Sequence, residues 1–222
     1  MPCGTKVILI SGGKDGHYTL TSTELWDGKN WKPYKPLPKR LQGHCLVKIN
    51  STHYFLTGGA NIHARDFDKG DFTFSVSSYI FNGKDFIQVA NMSMPRMDPG
   101  CGLYDDHLVF VAGGYNFQGS QDSLSTSEYF SLKTLTWSEG PSLDSEVYTG
   151  RIISTNNRTF LIGNKNIYEL VKTGEESWKW EKVKDLEKTN GFHFDAFLIS
   201  SEFCQKYKTR KQRNRFVLQE II

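Results

Sequence analysis

Short apolar runs punctuate the chain at regular intervals, and each breaks into glycine. They read V-I-L-I-S-G-G at residues 7–13, Y-F-L-T-G-G at 54–59 and V-F-V-A-G-G at 109–114, with a weaker F-L-I-G-N at 160–164. Marked by Gly12, Gly58, Gly113 and Gly163, the spacings are 46, 55 and 50 residues. A continuous Val/Ile/Leu/Phe run predicts a strand buried on both faces, and consecutive glycines let the backbone leave it through angles that a side chain forbids. Each copy is therefore expected to end a central strand abruptly. Self-similarity at this period predicts an array of similar units rather than one irregular domain.

A second pattern follows each glycine pair: an apolar or aromatic pair, a polar turn, then another aromatic. It reads L-W-D-G-K-N-W at residues 25–31, I-F-N-G-K-D-F at 80–86 and Y-F-S-L-K-T-L-T-W at 129–137. Asp27-Gly28 and Asn82-Gly83 are strong hairpin signals, since both residue types tolerate positive φ. Each unit thus gains a third and a fourth strand.

With these residues the chain resembles a kelch-repeat β-propeller over nearly its whole length. The second repeat departs from the pattern with Phe86 where tryptophan is expected, and the last has Asn164 in place of a second glycine. The resemblance implies an all-β fold of about four four-stranded blades, strands A to D from the axis outward, with the glycine pair ending strand B. The first blade supplies B at 7–11, C at 23–27 and D near 31–34, with no A strand ahead of it. The second runs from A at 43–47 through B at 54–57, C at 78–82 and D at 86–89, and the third from A at 100–103 through B at 108–112, C at 128–131 and D at 135–138. The fourth opens at 150–153 and ends with a strand around 178–183. Residues 191–199 then have the shape of one more A strand. The first blade is expected to be completed by that C-terminal strand, because a ring keeps exposed edges until its ends meet. A fragment whose other blades lie upstream remains the alternative. The domain expectation is a propeller over residues 1–204 and a basic tail over 205–222.

Composition suits this reading: 38% hydrophobic and 14% aromatic residues with Gly 20 fit many short strands and turns. The formal net charge of +3 is unevenly placed. The stretch 206–222 carries +5 from Lys206, Lys208, Arg210, Lys211, Arg213 and Arg215 against Glu220, so the rest carries −2 by difference. The body is not a nucleic-acid binder by charge, and the tail is read as a solvated terminus rather than a polyanion site. No apolar run is long enough to span a bilayer, and the first residues lack the basic and apolar regions of an export signal, so the expected location is cytoplasmic, with secretion the alternative if the N-terminus is truncated. Asn50, Asn91 and Asn157 each open an N-glycosylation sequon, although about two such triplets are expected by chance in a chain of this composition.

Long polar loops fall on one end of the predicted blades: 14–22, 60–76 and 115–124, all between B and C. The aromatics in register with the repeat, Trp26, Trp31, Phe81, Phe86, Phe130 and Trp137, are expected to pack between blades. Phe67, Phe72, Phe74, Tyr115 and Phe117 lie outside that register, and Arg40, Arg65 and Arg96 share their end. Aromatics with arginine are the mixture enriched at protein interfaces. From these, Arg40, Arg65, Phe67, Phe72, Arg96, Tyr115 and Phe117 form the candidate partner-binding set. The six histidines show no ligand spacing, so no metal or other cofactor is expected. Kelch domains commonly serve as binding modules, and the expected function is a non-enzymatic, monomeric interaction module for a protein or peptide. The alternative is a propeller enzyme of the copper-oxidase or lyase type. Closure of the ring would bring Cys3 and Cys204 together as a disulfide clasp like that of some secreted kelch-like chains. Cys45 and Cys101, beside the glycines that open two A strands, are expected to be buried free thiols.

Overall fold

The computed structural model describes residues 8–62, 72–117, 123–155 and 158–186. Among the described residues, sixteen strands form four antiparallel sheets in chain order. Blade 1 is β1 (Ile8–Ser11), β2 (Thr23–Trp26) and β3 (Trp31–Pro33). Blade 2 is β4 (Gln42–Lys48), β5 (Tyr54–Ile62), β7 (Ser78–Phe81) and β8 (Phe86–Val89), with β6 (Phe72–Phe74) paired to β5 as a fifth strand. Blade 3 is β9 (Gly100–Tyr104), β10 (Leu108–Ala112), β11 (Ser127–Ser131) and β12 (Thr136–Glu139). Blade 4 is β13 (Gly150–Thr155), β14 (Arg158–Gly163), β15 (Asn166–Gly174) and β16 (Ser177–Asp185). The predicted strand that would complete blade 1 at 195–199, the tail and the Cys3–Cys204 clasp all lie outside the described residues.

The apolar runs become the second strand of each blade because both of their faces are covered. All five residues of β10 are buried, and each large side chain so placed contributes roughly 1.5–3 kcal/mol. Phe55 of blade 2 reaches across to Phe130 and Trp137 of blade 3, with ring centroids 4.7 and 5.8 Å away. The in-register aromatics pair across the third and fourth strands as Trp26↔Trp31, Phe81↔Phe86 and Phe130↔Trp137. Asp27 and Asn82 close their turns with the side chain: Asp27 Oδ1 accepts from the amides of Lys29 and Asn30, and Asn82 Oδ1 from those of Lys84 and Asp85.

The glycine pairs join the blades. At all three copies both glycines have positive φ, between 64° and 98°. The first glycine donates within its own blade: Gly12 to Ser22 O, Gly58 to Ser77 O and Gly113 to Thr126 O. The second donates to the segment that opens the next blade: Gly13 to Leu41 O at 2.9 Å, Gly59 to Arg96 O at 2.7 Å and Gly114 to Val147 O at 2.8 Å. A Cβ on Gly58 would stand 2.7 Å from Arg96 O, so neither the backbone angle nor the space admits a side chain.

Three expectations need correction. β5 does not stop at its glycines: Ala60, Asn61 and Ile62 continue and pair with Phe74, Thr73 and Phe72, because Ala60, Ile62 and Phe74 bury against Met97 and Tyr115. The fourth copy is out of register, since Gly163 stands opposite Gly150 as Ala112 stands opposite Gly100. Asn164 and Lys165 therefore occupy the glycine-pair positions, and β14 and β15 are joined by those two residues rather than by a long loop. Finally, Cys45 and Cys101 are not free thiols; they form a disulfide between β4 and β9, with Cα atoms 6.1 Å apart.

Candidate functional site

Strand direction places the loops from second to third strand, together with the connections between blades, at one end of the sheets. Blades 1, 2 and 3 supply that face, while the tight β14–β15 turn adds no loop from blade 4. Thr19 of blade 1 docks onto β5: its hydroxyl donates to Ile62 O at 2.9 Å and accepts from Ile62 N at 3.0 Å. Tyr115 exchanges backbone hydrogen bonds with Met97, both 2.9 Å, and bridges to Ser123. Leu124 bridges to Val147. Residues from three loops and from the second and third inter-blade connections thus form one surface.

A run of aromatic rings crosses it. Phe74 of β6 meets Phe117 edge-on at 5.7 Å, Phe117 lies 5.3 Å from Tyr115, and Tyr115 stacks on Tyr148 at 4.3 Å with the planes only 3° apart. Exposure is graded along the run: Phe74 is 7% and Tyr115 6% exposed, whereas Phe117 is 44% exposed. Burial, and then the Asp98 carboxylate, push the Tyr115 hydroxyl far above the usual phenol range, so it stays protonated and donates to Met97 Sδ at 3.1 Å. Asn116, itself buried, donates to Pro95 O at 3.0 Å, fixing the chain between the rings. Met94, 37% exposed, extends the apolar surface.

Of the candidate binding residues, Phe117 is presented to solvent. Arg40 is exposed on the same end, and its guanidinium donates to Thr19 O at 2.8 Å. Phe72 lies in β6. Arg65 and Phe67 lie outside the described residues. Two members are corrected. Tyr115 is a buried support whose ring carries Phe117. Arg96 is 1% exposed and faces inward, donating to Gly113 O at 3.0 Å, Thr126 O and Thr126 Oγ1 at 2.9 Å, and Glu128 Oε1 at 3.3 Å. Glu128 accepts from Ser93 N at 2.8 Å and Met94 N at 3.2 Å. Tyr148, Asn116 and Met94 were not among the candidates. Tyr148 could have been found from its place just before Thr149-Gly150, where a chain leaving one blade must cross the face.

Asn50 and Asn91 are exposed, and Asn157 lies outside the described residues. Among the described residues no cluster of three His, Cys, Asp or Glu side chains could hold a metal ion, and no helix is long and apolar enough to cross a membrane.

Comparison with known proteins bears on the blades rather than on the face. The family model for the Kelch motif matches residues 101–143, which is blade 3 and the segment leaving it. Kelch-like protein 41b of Danio rerio is similar at 24% identity over 209 residues, 89% of this chain and 32% of that protein. Among solved structures, that of YjhT superposes with a TM-score of 0.62 at 14% sequence identity, covering 84% of this chain and 66% of YjhT. The chain thus spans about a third of the curated relative it matches and about two thirds of the structural one.

Proposed function

Because the chain is a kelch-repeat protein with a β-propeller fold, we propose that it is a non-enzymatic interaction module that binds a protein or peptide on the face carrying Phe117. A single observation carries this reading: an exposed ring held in place by the buried rings of Phe74 and Tyr115. Phe74 and Tyr115 restrict Phe117 on one side, and Tyr148 stacks on Tyr115 behind it, so an incoming apolar side chain meets a surface that loses little conformational freedom on binding. Met94 and Arg40 sit on the same end and add the flexible sulfur and the guanidinium that interfaces favour.

The test is proximity labelling with the intact chain beside Phe117→Ala and Arg40→Ala. Candidates labelled by wild type and lost in Phe117→Ala are then measured with purified components, and a weakening of tenfold or more, about 1.4 kcal/mol, is expected. Affinity unchanged from wild type in both variants, for every labelled partner, removes the face from consideration. Stoichiometric copper or iron in metal analysis of the purified chain would overturn the non-enzymatic reading in favour of the enzyme alternative.

A further inference from the structure

Cys45 and Cys101 are not equivalent within the repeat. Cys45 stands opposite Thr57, one place before the first glycine of its blade, and Cys101 stands opposite Val111, two places before. A shift of one residue along a strand turns the side chain to the other face of the sheet. Cys45 therefore looks toward blade 3 and Cys101 back toward blade 2, while Gly100 and Gly102, on the opposite side of β9, abut Leu161 and Ile152 of blade 4. The bond lies against Val47, Phe55, Val109 and Val111 and joins the innermost strands of two consecutive blades.

Closing it removes two electrons and two protons from the thiols. Thiol–disulfide exchange with a disulfide-bearing oxidant supplies the balance, the oxidant leaving as a dithiol. Cross-links of this kind form and persist in oxidising compartments and are rare where thiols are kept reduced. In eukaryotic cells that environment is also where Asn-x-Ser/Thr sequons are modified. Asn50 is exposed at the turn between β4 and β5. Its Oδ1 accepts from the amides of Thr52 and His53, both at 2.9 Å, and from the Thr52 hydroxyl at 3.1 Å. These bonds engage the oxygen and not the nitrogen that a glycan occupies. The turn is at the end of blade 2 remote from Phe117, so a sugar there leaves the aromatic face open.

We propose that the chain folds in an oxidising, secretory-type compartment, where the Cys45–Cys101 bond locks blade 2 to blade 3 and Asn50 carries an N-linked glycan. In the transfer the Asn50 amide nitrogen bonds the anomeric carbon of a lipid-linked oligosaccharide, the carbon–oxygen bond to the lipid pyrophosphate breaks, and the amide loses one proton.

The full chain, isolated from the cells that make it and alkylated before digestion, is mapped by mass spectrometry without reduction. The expected result is a linked pair of peptides containing Cys45 and Cys101, and conversion of Asn50 to Asp by a peptide N-glycosidase. Thr52→Ala, which removes the sequon hydroxyl, should abolish that conversion while leaving the linked peptides in place. Alkylated Cys45 and Cys101 overturn the proposal at its base. Linked cysteines with an unmodified Asn50 overturn the glycan, and a glycan with free cysteines overturns the lock.

Discussion

Blades 2 and 3 begin with the same backbone geometry and opposite chemistry. Leu41 and Arg96 each offer a carbonyl to the second glycine of the preceding blade, and each is 1% exposed. Leu41 buries against Leu37, Leu56 and Tyr79. Arg96 buries against Glu128, which stands opposite Val111 as Tyr79 stands opposite Leu56. Blade 4 repeats the apolar solution with Val147, also 1% exposed. The glycine-to-carbonyl bond is thus what the architecture demands, and the side chain above it has only to fill its space and be satisfied. Hydrocarbon and a fully bonded ion pair both meet that demand, but they fail differently: a truncated leucine leaves a cavity, whereas a truncated pair leaves a buried charge.

The largest effect should come from moving one solution into the other blade without its partner. Leu41→Arg places a guanidinium beside Tyr79, and the cost should be at least about 3–5 kcal/mol in urea unfolding, the range for an uncompensated buried charge. Arg96→Leu should cost nearly as much because Glu128 stays behind. The double change Arg96→Leu with Glu128→Tyr rebuilds the blade 2 arrangement and should recover most of the loss. A double variant no better than Arg96→Leu would show that the two sites are not interchangeable.

The Cys45–Cys101 lock ties together the inner strands that follow these two positions. It closes a loop with a sequence separation of 56 residues, for which about 2–4 kcal/mol is expected on removal. Cys45→Ala with Cys101→Ala should lower the unfolding free energy from urea titration by that amount, and the parent under reducing conditions should match it. Equal midpoints with and without reductant would mean that the thiols are unpaired in solution.

Much of this was legible in sequence, and what escaped did so for physical reasons. The period of the glycine pairs placed the strands of blades 1 and 3 almost to the residue, and those of blade 2 apart from the extension of β5 and the added β6, since paired positive φ and a doubly buried strand leave a strong pattern. The burial of Arg96 was not legible, because its environment comes from Glu128, 32 residues away. An arginine before an apparent loop reads as exposed until its acid is found across the blade. Tyr115 misled in the same way, an off-register aromatic that lies buried beneath Phe117 rather than at the surface. The disulfide was hidden because only the one-place offset between strands turns the two sulfurs together. Gly163 looked like a marker while standing where Ala112 stands, a register error that pairing alone reveals.

A smaller contrast separates the same blades by pH. Opposite Gly58 stands His44, whereas Pro99 precedes Gly100, the last partner in the β9–β10 register. His44 Nε2 bonds Ser11 Oγ at 2.9 Å, and its Nδ1 is buried with no partner among the described residues. Burial lowers the imidazole to about 4 from 6.5. The folded chain then binds fewer protons at His44 than the unfolded chain between those values. Stability is complete above about 6.5 and falls as the pH drops toward 4, by on the order of 2 kcal/mol once solvent near the ring is allowed for. His44→Gln should flatten this part of the urea-midpoint profile, and an unchanged profile would assign the pH dependence elsewhere.

The smallest stability effect belongs to the residue with the largest proposed role in binding. Phe117 projects from blade 3 over Phe74 of blade 2, so it joins the two blades at the face as the cysteines join them inside. It is 44% exposed while Tyr115 beneath it is 6% exposed. Phe117→Ala should therefore move the unfolding free energy by no more than about 0.5 kcal/mol, the usual range for surface changes. Tyr115→Ala removes the ring that stacks on Tyr148 and the hydroxyl bonded to Met97, and should cost about 3–5 kcal/mol, like other buried aromatic truncations. If Phe117→Ala proved as damaging as Tyr115→Ala, Phe117 would be part of the blade 2 to blade 3 packing. The graded exposure that supports binding at this face would then have a purely structural cause.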